Sequence, residues 1–196
     1  MCSSDLLIAL AAAAGLMSPA LAAERLNPVV VELFTSQGCN SCPPADAYLG
    51  ELTKRSDVLA LSWHVDYWDY IGWKDPFAQA AFTARQRDYG RALAQRYVYT
   101  PQMVVDGRLQ GIGSEKSTIN GLISEAARQR EASSRPTLRL DGDTLRIEGG
   151  KVEAPAIVWL ALFEPEHRTS VRRGENAGRD RKSTRLNSSH GYISYA

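Results

Sequence analysis

The chain predicts an α/β fold followed by a small antiparallel β unit, and three observations carry that expectation. Short β-branched runs alternate with stretches of helical spacing up to about residue 133. The dipeptide Asp106-Gly107, which tolerates positive φ in a tight hairpin, joins two further strand-like runs. Beyond Ser134 the helical spacing gives way to period-two alternation around Gly-containing turns. At 196 residues the chain has room for one ordinary domain with a small appendage.

Taken in order, "NPVVVELF" (27–34) is a short apolar, β-branched run, the mark of a buried strand. "PADAYLGELTKR" (44–55) places Ala45, Tyr48, Leu49 and Leu52 at helical spacing, with Lys54 and Arg55 suited to the negative end of the helix. "DVLALSWHV" (57–65) reads as a second strand, so the two strands form a parallel pair joined by a right-handed crossover. Asp75-Pro76 predicts a helix start, running to about Arg96, with Phe77, Ala81, Ala84, Leu93 and Tyr97 as core candidates. "QMVVD" and "RLQGI" form the hairpin, and Ser114 is placed to cap a last helix from Glu115 to about Glu131. The order over 27–133, β-α-β-α-β-β-α, is that of the thioredoxin fold. Over 137–178, "TLRLDGDTLRIEGG" and "APAIVWLALFE" predict a small three-stranded unit, which is marginal by itself and should lean on the first domain.

Cys39 and Cys42 fall at the turn from the first strand into the first helix, where that fold keeps a redox centre. A nucleophilic cysteine must be a thiolate, and the N–H groups at a helix N-terminus lower its pKa. With Ser41 as cap and Pro43 and Pro44 in the first turn, Cys39 is expected just ahead of the helix as the exposed attacker, and Cys42 in the first turn as the buried resolving thiol. Asn40 and Ser41, between them, influence the reduction potential. A disulfide across so short a loop removes little chain entropy, roughly 2 kcal/mol against nearly 5 for a loop of about 100 residues, so stapling alone is a weak reason for the pair.

Other side chains are expected to support the site. The fold places a cis proline before the third strand, facing the cysteines, and Pro101 stands there, leaving Thr100 to pair with a substrate's extended chain. Glu32 interrupts the first strand; it is either buried with a raised pKa, able to shuttle the proton of Cys42, or simply solvated or salt-bridged. "WHVDYWDYIGWKD" (63–75) follows the second strand. Its aromatics, Trp68 among them, form either a substrate-facing wall or a packed loop, and His64, Asp66 and Asp69 either trade protons or satisfy local hydrogen bonds.

The runs "VELFTSQGCNSCPPADAYLGEL", "HVDYWDYIGWKDPF" and "YTPQMVVDG", with "RRGENAGR" near the end, resemble the thioredoxin-like family catalogued as domain of unknown function 1223. The resemblance spans roughly Pro28 to Arg179 and implies an exported bacterial protein with no established substrate. After Arg179 it fails. "DRKSTRLNSSHGYISYA" resembles read-through of sequencing adapter, and "MCSSDL" another such scar, so 180–196 is expected to be a disordered, non-native tail and the β unit to be truncated.

"LLIALAAAAGLMSPALAA" (6–23) has the shape of a secretory signal peptide over 1–23, although "MCSSD" lacks a positive start; an uncleaved anchor is the alternative. Export to the periplasm or beyond would leave Cys39 and Cys42 as the mature chain's cysteines, in an oxidising setting. A net charge of +1 gives no sign of a nucleic-acid partner, and no stable membrane span remains after cleavage. The function expected is thiol:disulfide exchange with protein or small thiol and disulfide substrates, using no bound cofactor. The alternatives are a soft-metal carrier holding Cu(I) through Cys39, Cys42 and His64, and a binding module in which the disulfide is structural.

Overall fold

The computed structural model describes residues 28–134, 136–141, 144–150 and 157–194; the expected leader lies outside them. Strands β1 (Val29–Thr35), β2 (Val58–His64), β3 (Gln102–Val105) and β4 (Leu109–Ile112) alternate with helices α1 (Pro43–Leu52), α2 (Ala80–Ala92) and α3 (Lys116–Glu131) in the order β1-α1-β2-α2-β3-β4-α3. β1 runs parallel to β2 and antiparallel to β3, and β3 pairs antiparallel with β4. The chain is thus a mixed α/β protein built on a mixed sheet with three helices.

Both faces of the sheet are covered, which is why β1 and β2 read as continuous apolar runs. Val29, Val31, Leu33, Val58 and Ala60 pack with Tyr48, Leu49 and Leu52 of α1 and Ile119, Ile123 and Ala126 of α3. Phe34, Leu61, Trp63 and Val104 pack with Phe82 of α2 on the other side. Successive residues of β1 and β2 therefore serve opposite faces, and this decides where each polar side chain at the strand ends points.

Local signals misplace three helix starts. α1 begins at Pro43 with Cys42, not Ser41, as the flanking residue: the Cys42 carbonyl accepts the N–H groups of Ala45 (2.9 Å) and Asp46 (3.0 Å). α3 starts at Lys116, and no side chain caps it, so Ser114 is not its cap. α2 starts at Ala80, not at Asp75-Pro76: Asp75 Oδ1 accepts the Phe77 N–H at 3.0 Å, but this closes only a local turn, and the chain is extended at Gln79 before the helix begins. Its buried face is Phe82, Thr83, Gln86 and Gly90, whereas Ala81, Ala84 and Tyr97 are exposed and Phe77 precedes the helix.

Asp106 (φ +54°) and Gly107 (φ +70°) both take the left-handed conformation in the three-residue connection from β3 to β4, as the central residues of a tight turn closed by Arg108 N–H to the Val105 carbonyl at 3.1 Å. Asp106 is anchored by Arg130 Nε at 2.7 Å, so Gly107 carries the conformational demand. Gly107→Ala is expected to destabilise the protein by about 1–2 kcal/mol, read as a lower urea midpoint with an unchanged slope. An unchanged midpoint would mean that the turn relaxes freely.

The end of the chain departs most from expectation. β5 (Thr137–Asp141) and β6 (Thr144–Glu148) form a two-stranded sheet alone, while β7 (Ile157–Ser170) pairs with β8 (Asp180–Ser194). β8 adjoins β2, extending the main sheet to the order β4-β3-β1-β2-β8-β7. The expected single unit over 137–178 is therefore divided, and the tail expected to be disordered is a strand along 180–194. Its polar composition is no obstacle, because the backbone pairing along β7 supplies the hydrogen bonds. Among the described residues, no helix is long and apolar enough to cross a membrane.

Candidate functional site

Residues 36–42 connect β1 to α1, and Cys39 and Cys42 are joined there by a disulfide with Cα atoms 5.5 Å apart. Pro43 and Pro44 sit at the first positions of α1, where the missing N–H groups have no helical partner anyway. Asn40 and Ser41 are the exposed part of this loop, with Ser41 Oγ 3.4 Å from Cys39 Sγ. Cys39 is not the exposed attacker that the sequence suggests: it and Cys42 are both 0 % exposed.

Two segments distant in sequence cover the pair. In the first, residues 66–73, Trp68 and Ile71 lie so close to Gly38 that a Cβ there would meet Trp68 Cβ and Ile71 Cδ1 at 3.2 Å, tighter than an ordinary van der Waals contact. Trp68 Nε1 also donates to Thr100 Oγ1 at 2.7 Å, so one side chain ties the cysteine loop to the Thr100–Pro101 peptide, which is cis. Pro101 is buried, and its carbonyl accepts from Gly113, whose backbone lies against Ala45 of α1. The second segment is 171–179. The buried Asn176 amide donates to the carbonyls of Gln37 (2.8 Å) and Cys39 (2.9 Å), and Arg181 Nη1 reaches the Gln37 carbonyl at 3.2 Å.

A buried polar cluster lies beneath the loop. His64 Nδ1 and Asp75 Oδ2 are 2.6 Å apart, and the same oxygen accepts the Gln37 N–H at 2.7 Å. Register places Thr35 beside His64, and the Thr35 hydroxyl donates to Asp46 at 2.8 Å. Asp46 also pairs with Arg181. Burial pushes Asp46 above the ordinary carboxylate range, against the lowering influence of Arg181, His64 and Thr35. For Asp75 burial acts in the same direction, but His64 and the N–H groups of Gln37 and Phe77 outweigh it and hold the carboxyl low. His64 Nε2 and Gln37 Nε2 are buried without a protein partner.

Other expected site residues are engaged elsewhere. Glu32 points to the α2 face, where Arg85 Nε and Nη2 donate to it at 2.9 and 2.6 Å and the Tyr89 hydroxyl completes its shell. Cys42 heads α1 on the opposite face, so of the two roles weighed for Glu32 the geometry matches the salt bridge. Asp66 accepts the Thr83 hydroxyl at 2.6 Å and fastens the aromatic loop to α2. Tyr67 donates to Gln86, and its burial pushes the phenol up to about 12. Among the described residues, no group of three or more His, Cys, Asp or Glu side chains is placed to hold a metal ion.

Sequence reasoning missed Asp46, Asp75, Gln37, Thr35 and Asn176 as parts of this site. A signal existed for Asp46, four residues after Cys42 and so one helical turn along. None existed for Asn176 beyond its place in "RRGENAGR".

An α/β chain with a disulfide at a strand-to-helix turn and a cis proline nearby is the class that the fold and site define. This chain belongs to the family described as Protein of unknown function (DUF1223), whose model matches residues 30–190, past the point at which the sequence resemblance fades. It is similar to a crystal structure of a protein from Agrobacterium tumefaciens, at 35 % identity and a TM-score of 0.68, over 85 % of this chain and 72 % of that one. No curated protein matches.

Proposed function

We propose that the protein is an exported, thioredoxin-like thiol:disulfide oxidoreductase acting on protein or small thiol and disulfide substrates, with Cys39 as attacker and Cys42 as resolving thiol. The observation that carries this reading is the position of the disulfide: it closes the turn into α1, directly ahead of two prolines, with the Cys42 carbonyl already inside the helix. Reduced there, a thiolate lies in the positive field of the helix N-terminus. Cys39 attacks a substrate disulfide, expelling one substrate thiolate. Cys42 then attacks Cys39 in the mixed disulfide, releasing the second thiol and restoring the Cys39–Cys42 bond.

A second reading has one observation in its favour. Both sulfurs are buried, as befits a structural disulfide in a binding module. Titration in glutathione buffers with alkylation and mass spectrometry separates the two, with Cys42→Ala as a trap. Exchange predicts a potential in the range of about −120 to −270 mV and substrate captured on Cys39; a pair that stays oxidised below about −300 mV would establish the structural role.

A further inference from the structure

The stretch Arg172 to Arg179 has no part in the exchange steps, yet it makes the most specific contact with the cysteine loop. It closes on itself, with Gly178 N–H to the Val171 carbonyl at 2.8 Å and Val171 N–H to the Arg179 carbonyl at 3.0 Å. Most of it faces solvent, but Asn176 is 0 % exposed. Burying an amide is costly unless it is fully bonded, and this one is: both Nδ2 hydrogens go to Gln37 and Cys39 carbonyls, and Oδ1 accepts from Arg179 at 3.0 Å. The same two carbonyls also receive Arg181 Nη1, at 3.2 and 3.4 Å, and main-chain carbonyls beside a reacting cysteine are acceptors that an incoming polypeptide's N–H groups take. Asn176 occupies that position with a side chain that offers the same two donors.

We propose that the 171–179 loop is a built-in occupant of the partner's seat, with Asn176 standing in for the main-chain N–H groups of an incoming polypeptide, so that exchange at Cys39–Cys42 requires the loop to withdraw. The inference rests on the exchange reading above and names its partner: an extended cysteine-bearing segment that replaces both hydrogen bonds. Dithiothreitol has no N–H to offer and must wait for the loop to open. Its thiolate then attacks Cys39 Sγ, Cys42 leaves as a thiolate and takes a proton from water, and the second dithiothreitol thiol displaces Cys39, giving cyclic oxidised dithiothreitol and the dithiol protein.

The test is the rate of disulfide reduction against dithiothreitol concentration in the full chain, in wild type, Asn176→Ala, Asn176→Asp and, as a control for general destabilisation, Gly107→Ala. The wild-type rate is expected to reach a plateau set by opening. Both Asn176 variants should raise that plateau at least about tenfold, the effect of losing two hydrogen bonds, while Gly107→Ala leaves it in place. In wild type, hydrogen exchange of the Gly178 amide should proceed at the plateau rate. Rates linear in dithiothreitol and equal across all four proteins overturn the inference, because the disulfide is then open with the loop seated. Equilibration of Asn176→Ala with glutathione judges the exchange reading separately: a pair that reduces quickly in dithiothreitol but never with glutathione keeps the loop's role and removes exchange.

Discussion

Asp75→Ala should destabilise the protein by about 3–5 kcal/mol in urea unfolding, a large share of the roughly 5–15 kcal/mol that holds an ordinary domain together. The carboxylate accepts from three groups: His64 Nδ1 and the N–H groups of Gln37 and Phe77. Asp75 and His64 are almost wholly buried, at 2 % and 1 % exposure, so water cannot replace the lost acceptor. Hydrogen bonds to a charged group contribute about 1.5–3 kcal/mol each, and the orphaned donors keep their desolvation cost. Asp75→Asn should lose about half as much, since its amide oxygen still accepts one N–H while its NH2 faces the ring. The pH dependence has a definite sign. A carboxyl held below its ordinary value stabilises the fold above the unfolded-state pKa near 3.8 and loses that contribution as pH falls through the lower folded value. Asp46, held high, runs oppositely: it favours the fold when protonated and opposes it once pH rises past its folded value. The gap between wild type and Asp75→Asn should therefore close in acid. A gap that stays constant down to pH 2 would show that the Asp75 charge contributes nothing.

The second large effect is expected at Arg85. Glu32 is 3 % exposed in the middle of the sheet, and Arg85 supplies its countercharge from α2 while its guanidinium lies over Trp63 at 5.0 Å and Tyr89 at 5.1 Å. Arg85→Ala strands a carboxylate beside the apolar cluster and should cost about 3–5 kcal/mol. The double variant Glu32→Leu/Arg85→Met removes both charges and keeps similar volume, so it should lie within about 1 kcal/mol of wild type or above it. Thermodynamic coupling near zero in this cycle would mean that Glu32 is satisfied by Tyr89 alone.

How much was legible in the sequence follows from the range over which each signal acts. β1 and β2 were readable because burial on both faces demands uninterrupted apolar side chains, and Asp106-Gly107 because the turn's backbone demand falls on those two residues. Asp75-Pro76 misled because the cap Asp75 forms, Oδ1 to the Phe77 N–H, closes only a local turn and is followed by an extended Gln79 before α2 begins. The face of α2 misled for another reason: its buried Gln86 is satisfied by the Tyr99 carbonyl at 2.7 Å and Gln102 at 2.9 Å, and a search for apolar periodicity passes over such a residue. At the site, the cysteine spacing and Pro101 were visible in sequence. The cover over them was not, since neither Trp68 against Gly38 nor Asn176 against Cys39 leaves any mark in the spacing of residues.

That last contact spans 137 positions of chain. A ribosome adding about 5–20 residues per second needs roughly 7–27 seconds to travel from Cys39 to Asn176. The cysteines, their strand and their helix thus exist well before the asparagine that bonds their loop. Whatever oxidant joins the two sulfurs has easiest access to the nascent or incompletely folded chain, and the last-made segment then seals the product.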